Sequence, residues 1–238
     1  MVGIRVAESK WPEVEAKLQN QAIAVLPIGA SCKEHGRHLP MNTDDQQVNW
    51  LCGQLLQRLE VVIWPVVGYG YYPMFVEYPG SISLSEPVFI AVVNDILDGI
   101  ERAGASRIVI LNTGISTIAP ITKMIVSRSR SDHLQLINVY EGERFGEQSS
   151  RLSEQAWGGH ADEIETSLML AIDPKSVDMH YAIAAPTEIV SGRFNRNRPD
   201  LSNYSPDGVN GDPSLASESK GNKLLVAMLD DVVQKFSD

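Results

Sequence analysis

The sequence predicts an α/β fold: a mainly parallel sheet with helices packed on both faces. Three observations carry this. Short, almost purely apolar runs recur along the chain, stretches with apolar residues at helical spacing separate them, and short turns bearing glycine join the two. At 238 residues the chain is long enough to bury a sizeable core, and residues 1–238 read as one domain. No internal repeat or low-complexity linker divides it.

Residues 22–28 (AIAVLPI) end at Gly29 and read as a buried strand. Residues 46–59 follow with Val48, Leu51, Leu55 and Leu59 at helical spacing. VVIWPVV, from Val61, is a second strand-like run, and it enters a loop rich in Gly, Tyr and Pro (GYGYYPMFVEYPG). Ser85-Glu86-Pro87 opens a long amphipathic helix, with serine as N-cap, proline early and Gly104 as the stop. RIVILN, from Arg107, is a third strand, followed by Thr113-Gly114 and a helical pattern over 117–127. LQLINVY, from Leu134, is a fourth. Residues 161–172 and 224–236 read as the last two helices. Ligands of open α/β sheets gather beyond the carboxyl ends of the strands. Ile28, Val67 and Asn112 end three of these runs and feed the most unusual loops, so a site is expected there. The loops after Ile28 and Asn112 are expected on one edge.

Charge narrows the partners. Lys and Arg number 20 against 30 Asp and Glu, a formal net charge of -10, which repels nucleic acid and anionic membrane. The one basic stretch, RFNRNRPDL from Arg193, reads as a solvated loop. Two cysteines, Cys32 and Cys52, make no disulfide framework. The N-terminal MVGIRVAESKWPEVEAKL is charged and amphipathic, without an apolar signal core, and no apolar run approaches the roughly 20 residues of a membrane helix. A cytoplasmic protein with reduced thiols is the expectation.

The chemistry concentrates in KEHGRHLPMNTDD, residues 33–45. Gly36 and Pro40 disfavour a helix through His35 and His38, which places them on a loop leaving the first strand. Glu34, His35, His38, Asp44 and Asp45 offer imidazole nitrogens and carboxylate oxygens, the ligand set of a zinc, manganese or iron hydrolase. The competing reading is a loop tied by its own hydrogen bonds. A second cluster, WGGHADEIETS from Trp157, sets His160 before a helix carrying Asp162, Glu163 and Glu165. The helix dipole accounts for Asp162 and Glu163. Glu165 sits beside Thr166, Ser167 and LMLAI and is expected to face inward. His38 is expected to orient the loop. Cys32 lacks an orienting group and reads as a buried thiol, and His133 and His180 read as surface or packing residues.

Four segments in this order, LPIGASCKEHGRHLPMNTD, PGSISL, WGGHADEIETSLML and DGVNGDPSLASESKG, resemble successive motifs of the creatininase (creatinine amidohydrolase) family. The resemblance runs from about residue 20 to 235. It implies a three-layer α/β/α fold, commonly a hexamer, with a binuclear metal centre that hydrolyses C–N bonds of cyclic or linear amides through metal-activated water. It makes His35 and Glu165 metal ligands, Asp44 the carboxylate bridging two metals, and His160 the catalytic residue acting on the substrate. Two positions depart from it. Lys33 stands where the family has its first-metal glutamate, leaving Glu34, one residue later, as the carboxylate a bulge would bring in. The family's NGHGGN-like segment is here Asn112-Thr113-Gly114-Ile115-Ser116-Thr117, with Gly114 in place of a metal-binding histidine.

Both departures fall on one metal. The expectation is therefore a single divalent ion per chain, zinc first, then manganese or iron, held by His35, Asp44, Glu165 and Glu34, with Lys33 paired to Asp44. Ser81, Gly114, Ser116 and Trp157 are candidate substrate contacts. Plain N-capping by Ser116 or Thr117 competes with that role, and core or interface packing competes for Trp157, Tyr71 and Tyr72. The function expected is a metal-dependent amidohydrolase acting on a small non-peptide amide. The alternative is a non-catalytic binding or assembly protein with a degenerate metal site. A third reading is a rearranged centre in which His160 or His38 becomes a ligand.

Overall fold

The computed structural model describes residues 2–237. Five strands, all parallel, form one sheet: β1 (Ile4–Arg5), β2 (Ile23–Ile28), β3 (Val61–Ile63), β4 (Ile108–Asn112) and β5 (Leu134–Asn138), in the order β1-β3-β2-β4-β5. Side chains alternate across a strand, so the central strands serve two cores. Val25, Val109 and Leu111 point to one face, and Ala24, Leu26, Ile28, Ile108 and Ile110 to the other. Burial on both faces is why these runs are continuously apolar.

Helices cover both faces, as the alternation predicts. Helix α1 (Trp11–Gln19) packs Leu18 against Ala22 and Val62. On the first face, α2 (Thr43–Arg58) contributes Leu51 and Leu55. The second face is covered by α3 (Glu86–Arg102) and α4 (Ile118–Ser127), through Phe89, Val93, Leu97 and Ile121. Back on the first face lie α5 (Glu143–Leu152), α6 (Glu163–Ile172) and α7 (Glu218–Ser237), through Phe145, Leu168 and Met228. A Cβ on Gly221 would collide with the Ser167 carbonyl, so glycine there lets α7 approach the α6 backbone directly.

Some boundaries differ. Helix α2 begins at Thr43, which puts Asp44 in its first turn and not on the preceding loop. Its polar start hid the helix, because the apolar period begins only at Val48, while acidic residues suit a helix N-terminus. Helix α7 likewise opens with the polar Glu218–Lys223 stretch. Ser85 flanks α3 but makes no side-chain cap. Strand β3 stops at Ile63, and Val67 rejoins the sheet through one bridge to Ile28. The register pairs Ile28 with Asn112, so the loops after β2 and β4 do leave one edge side by side. No helix among the described residues is long and apolar enough to cross a membrane.

Candidate active site

Three pieces of chain meet at that edge: the loop after β2, the first turn of α2, and the segment entering α6. Gly36 turns the loop at φ 72, and its N–H donates to Oε1 of Glu34 at 2.6 Å. His160 is held by reciprocal backbone bonds with Asn210, and Asp162 then caps α6 by accepting from the N–H groups of Ile164 and Glu165 at 3.0 Å. Between them Ala161 adopts φ 47, a left-handed conformation that costs a residue with a Cβ. Its N–H donates to Oε2 of Glu165 at 2.7 Å, which ties the strained turn to the helix.

His35 is fully buried, and its Nδ1–H donates to the Lys33 carbonyl at 2.9 Å. That leaves Nε2 facing Oδ1 of Asp44 at 3.1 Å and Oε1 of Glu165 at 3.6 Å. The Nε2–H of His160 donates to the Glu34 carbonyl at 3.0 Å, while Nδ1 lies 3.8 Å from Oε2 of Glu165. His35, His160 and Glu165 each offer a ligand atom, all within 4.8 Å of one another. Nε2 of His35 and Nδ1 of His160 thus both turn toward the Glu165 carboxylate. Such a convergence needs a proton or a cation, and the mixed imidazole–carboxylate set suits zinc, manganese or iron.

The electrostatics follow from burial and close partners. Burial pushes the Asp44 carboxyl up, but Lys33 and His35 outweigh it and hold it well below the usual carboxylate range. Glu165 is also lowered, where His35, His160 and Lys33 overcome burial. Burial favours neutral His160, yet Glu34 wins and raises it. Lys33 is raised too, because Asp44 and its neighbours outweigh burial. The expected Lys33–Asp44 pair is present, with Nζ 2.8 Å from Oδ2. Nζ also lies 5.1 Å from the Phe75 ring centre and 5.7 Å from that of Tyr72.

Glu34 does not join the group of three. Its Oε1 stands 3.3 Å from Nε2 of His160, the nitrogen turned away from Glu165, and a Cβ on Gly208 would overlap its carboxylate. Glu34 points at the DGVNG turn, not at the cluster. His38 makes a 2.8 Å contact from Nε2 to Oγ1 of Thr166, which ties the loop to α6. Burial lowers its pKa to about 4.

A cavity of about 320 Å³ opens beside the cluster, with Lys33, Asp44, His160 and Glu165 at its polar end. Met74, Phe75, Ile189 and Phe194 form apolar walls. Of the candidate substrate contacts only Ser116 lines it; Ser81, Gly114 and Trp157 do not. The Ser81 hydroxyl is engaged by the Glu34 N–H at 2.9 Å, so it shapes the loop. The Gly114 carbonyl accepts from Nδ2 of Asn112 at 2.8 Å. Trp157 is half-buried away from the cavity. Tyr72 lines the cavity, whereas Tyr71 packs on the α3 face of the sheet. Phe75, 4.2 Å from the His160 ring centre, and Asn210 were missed as site residues. Both lie in stretches that the sequence flags, the Tyr/Pro-rich loop and DGVNG, but nothing in those patterns singles out the residue.

A parallel α/β sheet with histidines and carboxylates buried at the carboxyl ends of its strands defines an α/β protein with a metal-competent cavity. The model of the creatininase family, creatinine amidohydrolase, matches residues 7–236, and the chain belongs to that family. It is 27% identical over 199 residues to the creatinine amidohydrolase of Pseudomonas putida, covering 76% of each chain. It is 22% identical over 269 aligned positions to the 3-dehydro-scyllo-inosose hydrolase of Thermotoga maritima, covering 98% of this chain and 85% of the relative. The mycofactocin precursor peptide peptidase of Mycolicibacterium smegmatis is 24% identical over 217 residues, 87% of this chain and 81% of the peptidase. A crystal structure of creatinine amidohydrolase shares the fold, with a TM-score of 0.83 at 22% identity over 98% of this chain and 96% of that one.

Proposed function

We propose that this chain is a metal-dependent amidohydrolase that cleaves a C–N bond of a small cyclic or linear amide. One observation carries the reading: ligand atoms of His35, His160 and Glu165 lie within 4.8 Å of one another, and Nε2 of His35 has Oδ1 of Asp44 at 3.1 Å and Oε1 of Glu165 at 3.6 Å. His35, Asp44 and Glu165 would hold the ion. A divalent ion would supply Lewis acidity there and lower the pKa of its water towards about 7. Creatininases solved with manganese and in a zinc–zinc form support those two metals here.

The residues themselves do the rest. Glu34 fixes the His160 ring and favours its protonated form, which suits it to give a proton to the departing nitrogen. That proton matters because an amide anion is a very poor leaving group; such help is typically worth about 10² to 10⁴-fold. The apolar walls exclude water from the amide, and a cavity of about 320 Å³ fits a small molecule. A creatininase variant solved with creatine supports a small substrate.

The test is hydrolysis of a panel of cyclic and linear amides by protein loaded with zinc or manganese, with amine release measured before and after chelation. Turnover that appears with metal and disappears with chelator is expected. Turnover indifferent to chelation, or no metal retained, overturns the reading. The non-catalytic alternative draws on the Lys33–Asp44 pair, which already gives one carboxylate a cation.

A further inference from the structure

The two oxygens of Asp44 face different partners. Oδ1 looks toward His35 and the ligand cluster, and Oδ2 meets the Lys33 ammonium at 2.8 Å. Lys33 is buried, and Asp44 is its one carboxylate within 4 Å among the described residues. The aromatic faces of Phe75 and Tyr72 flank the ammonium, and all three side chains line the cavity. An ammonium over aromatic faces keeps its charge without water.

Charge counting gives this placement a meaning. Glu34 and His160 pair with each other, so Asp44, Glu165 and the Lys33 ammonium leave one net negative charge at the cluster. One divalent ion brings that to a single positive charge, while two would leave three, which a buried site does not sustain. We propose that Lys33 is a protein-borne cation that shares Asp44 with the metal, limits the site to one divalent ion, and presents a second positive centre to the oxygen of the bound substrate. The inference rests on the metal-dependent reading above and deepens it.

Removing the ammonium takes a positive charge from beside the ion and leaves Asp44 needing one. Both effects strengthen metal binding in Lys33→Met, whereas Lys33→Arg keeps the charge. The experiment is metal content of the purified chain after dialysis against manganese or zinc chloride, with affinity measured by chelator competition. The expected result is one ion per chain in wild type and in Lys33→Arg, and at least tenfold tighter binding in Lys33→Met. Two ions per wild-type chain overturn the inference and leave the hydrolase reading standing. Equal affinity in wild type and Lys33→Met overturns it as well. No ion in the wild type overturns the metal-dependent reading together with it. The wild-type stoichiometry and Lys33→Arg keep the test decisive should Lys33→Met fail to fold.

Discussion

Glu34 and Glu165 stand at opposite nitrogens of His160, Oε1 of Glu34 at 3.3 Å from Nε2 and Oε2 of Glu165 at 3.8 Å from Nδ1. The ring is thereby oriented from behind by one carboxylate and presented to the cluster beside the other. Glu34→Gln removes the charge that favours imidazolium, so the His160 pKa should fall; a ring-proton NMR titration reads it directly. Turnover should drop about 10 to 100-fold, the usual cost of losing an orienting partner, with metal content unchanged. A His160 titration unmoved by the substitution would count against this role.

Metal content separates holding from proton transfer. Asp44→Ala and Glu165→Gln should lose the ion, because each removes an oxygen facing Nε2 of His35. Glu34→Ala should retain it. His160→Gln should also retain it while turnover falls at least about 100-fold, the range of acid–base help. An ion lost with His160→Gln would instead make the ring a ligand, which the 4.8 Å grouping also allows geometrically.

His38 writes a pH dependence into the fold. Burial holds its pKa near 4 against an ordinary 6.5, so the native state keeps it neutral while the unfolded chain takes up a proton. Its contribution is intact above about pH 6.5 and is lost as pH falls towards about 4, a difference of about 3 kcal/mol. Denaturant unfolding of metal-free protein across that window should show a steeper loss in wild type than in His38→Gln. Parallel slopes would remove His38 as the cause.

Packing gives the fourth expectation. The Ser167 carbonyl occupies the space a side chain on Gly221 would need, and both partners there are backbone. Gly221→Ala should cost about 2 kcal/mol or more through forced separation of α6 and α7, measured by thermal unfolding. An unchanged Tm would show that the helices part freely.

Much of the architecture was legible because both-face burial writes strands as apolar runs that a reader recognises without alignment. Strand β1, two residues long, and α5, which buries only Phe145, carry too little apolar signal to be seen. The site was legible in its members but not in their directions. Lys33, Glu34 and His35 are consecutive, yet they point to Asp44, to His160 and to the ligand cluster respectively, and spacing along an irregular loop does not encode such turns. Gly114 and Trp157 show the same limit: a motif position predicts neighbourhood, while cavity lining depends on how the backbone around it bends.

The abutment of Gly221 on Ser167 also sets an order of events during synthesis. Helix α6 carries Glu165, and its covering partner α7, 20 residues long, begins only at Glu218. On a ribosome that releases the N-terminal part first, His35 and Asp44 emerge long before α7 does. The nascent chain therefore exposes His35 and Asp44 before α7 can cover the helix that carries Glu165.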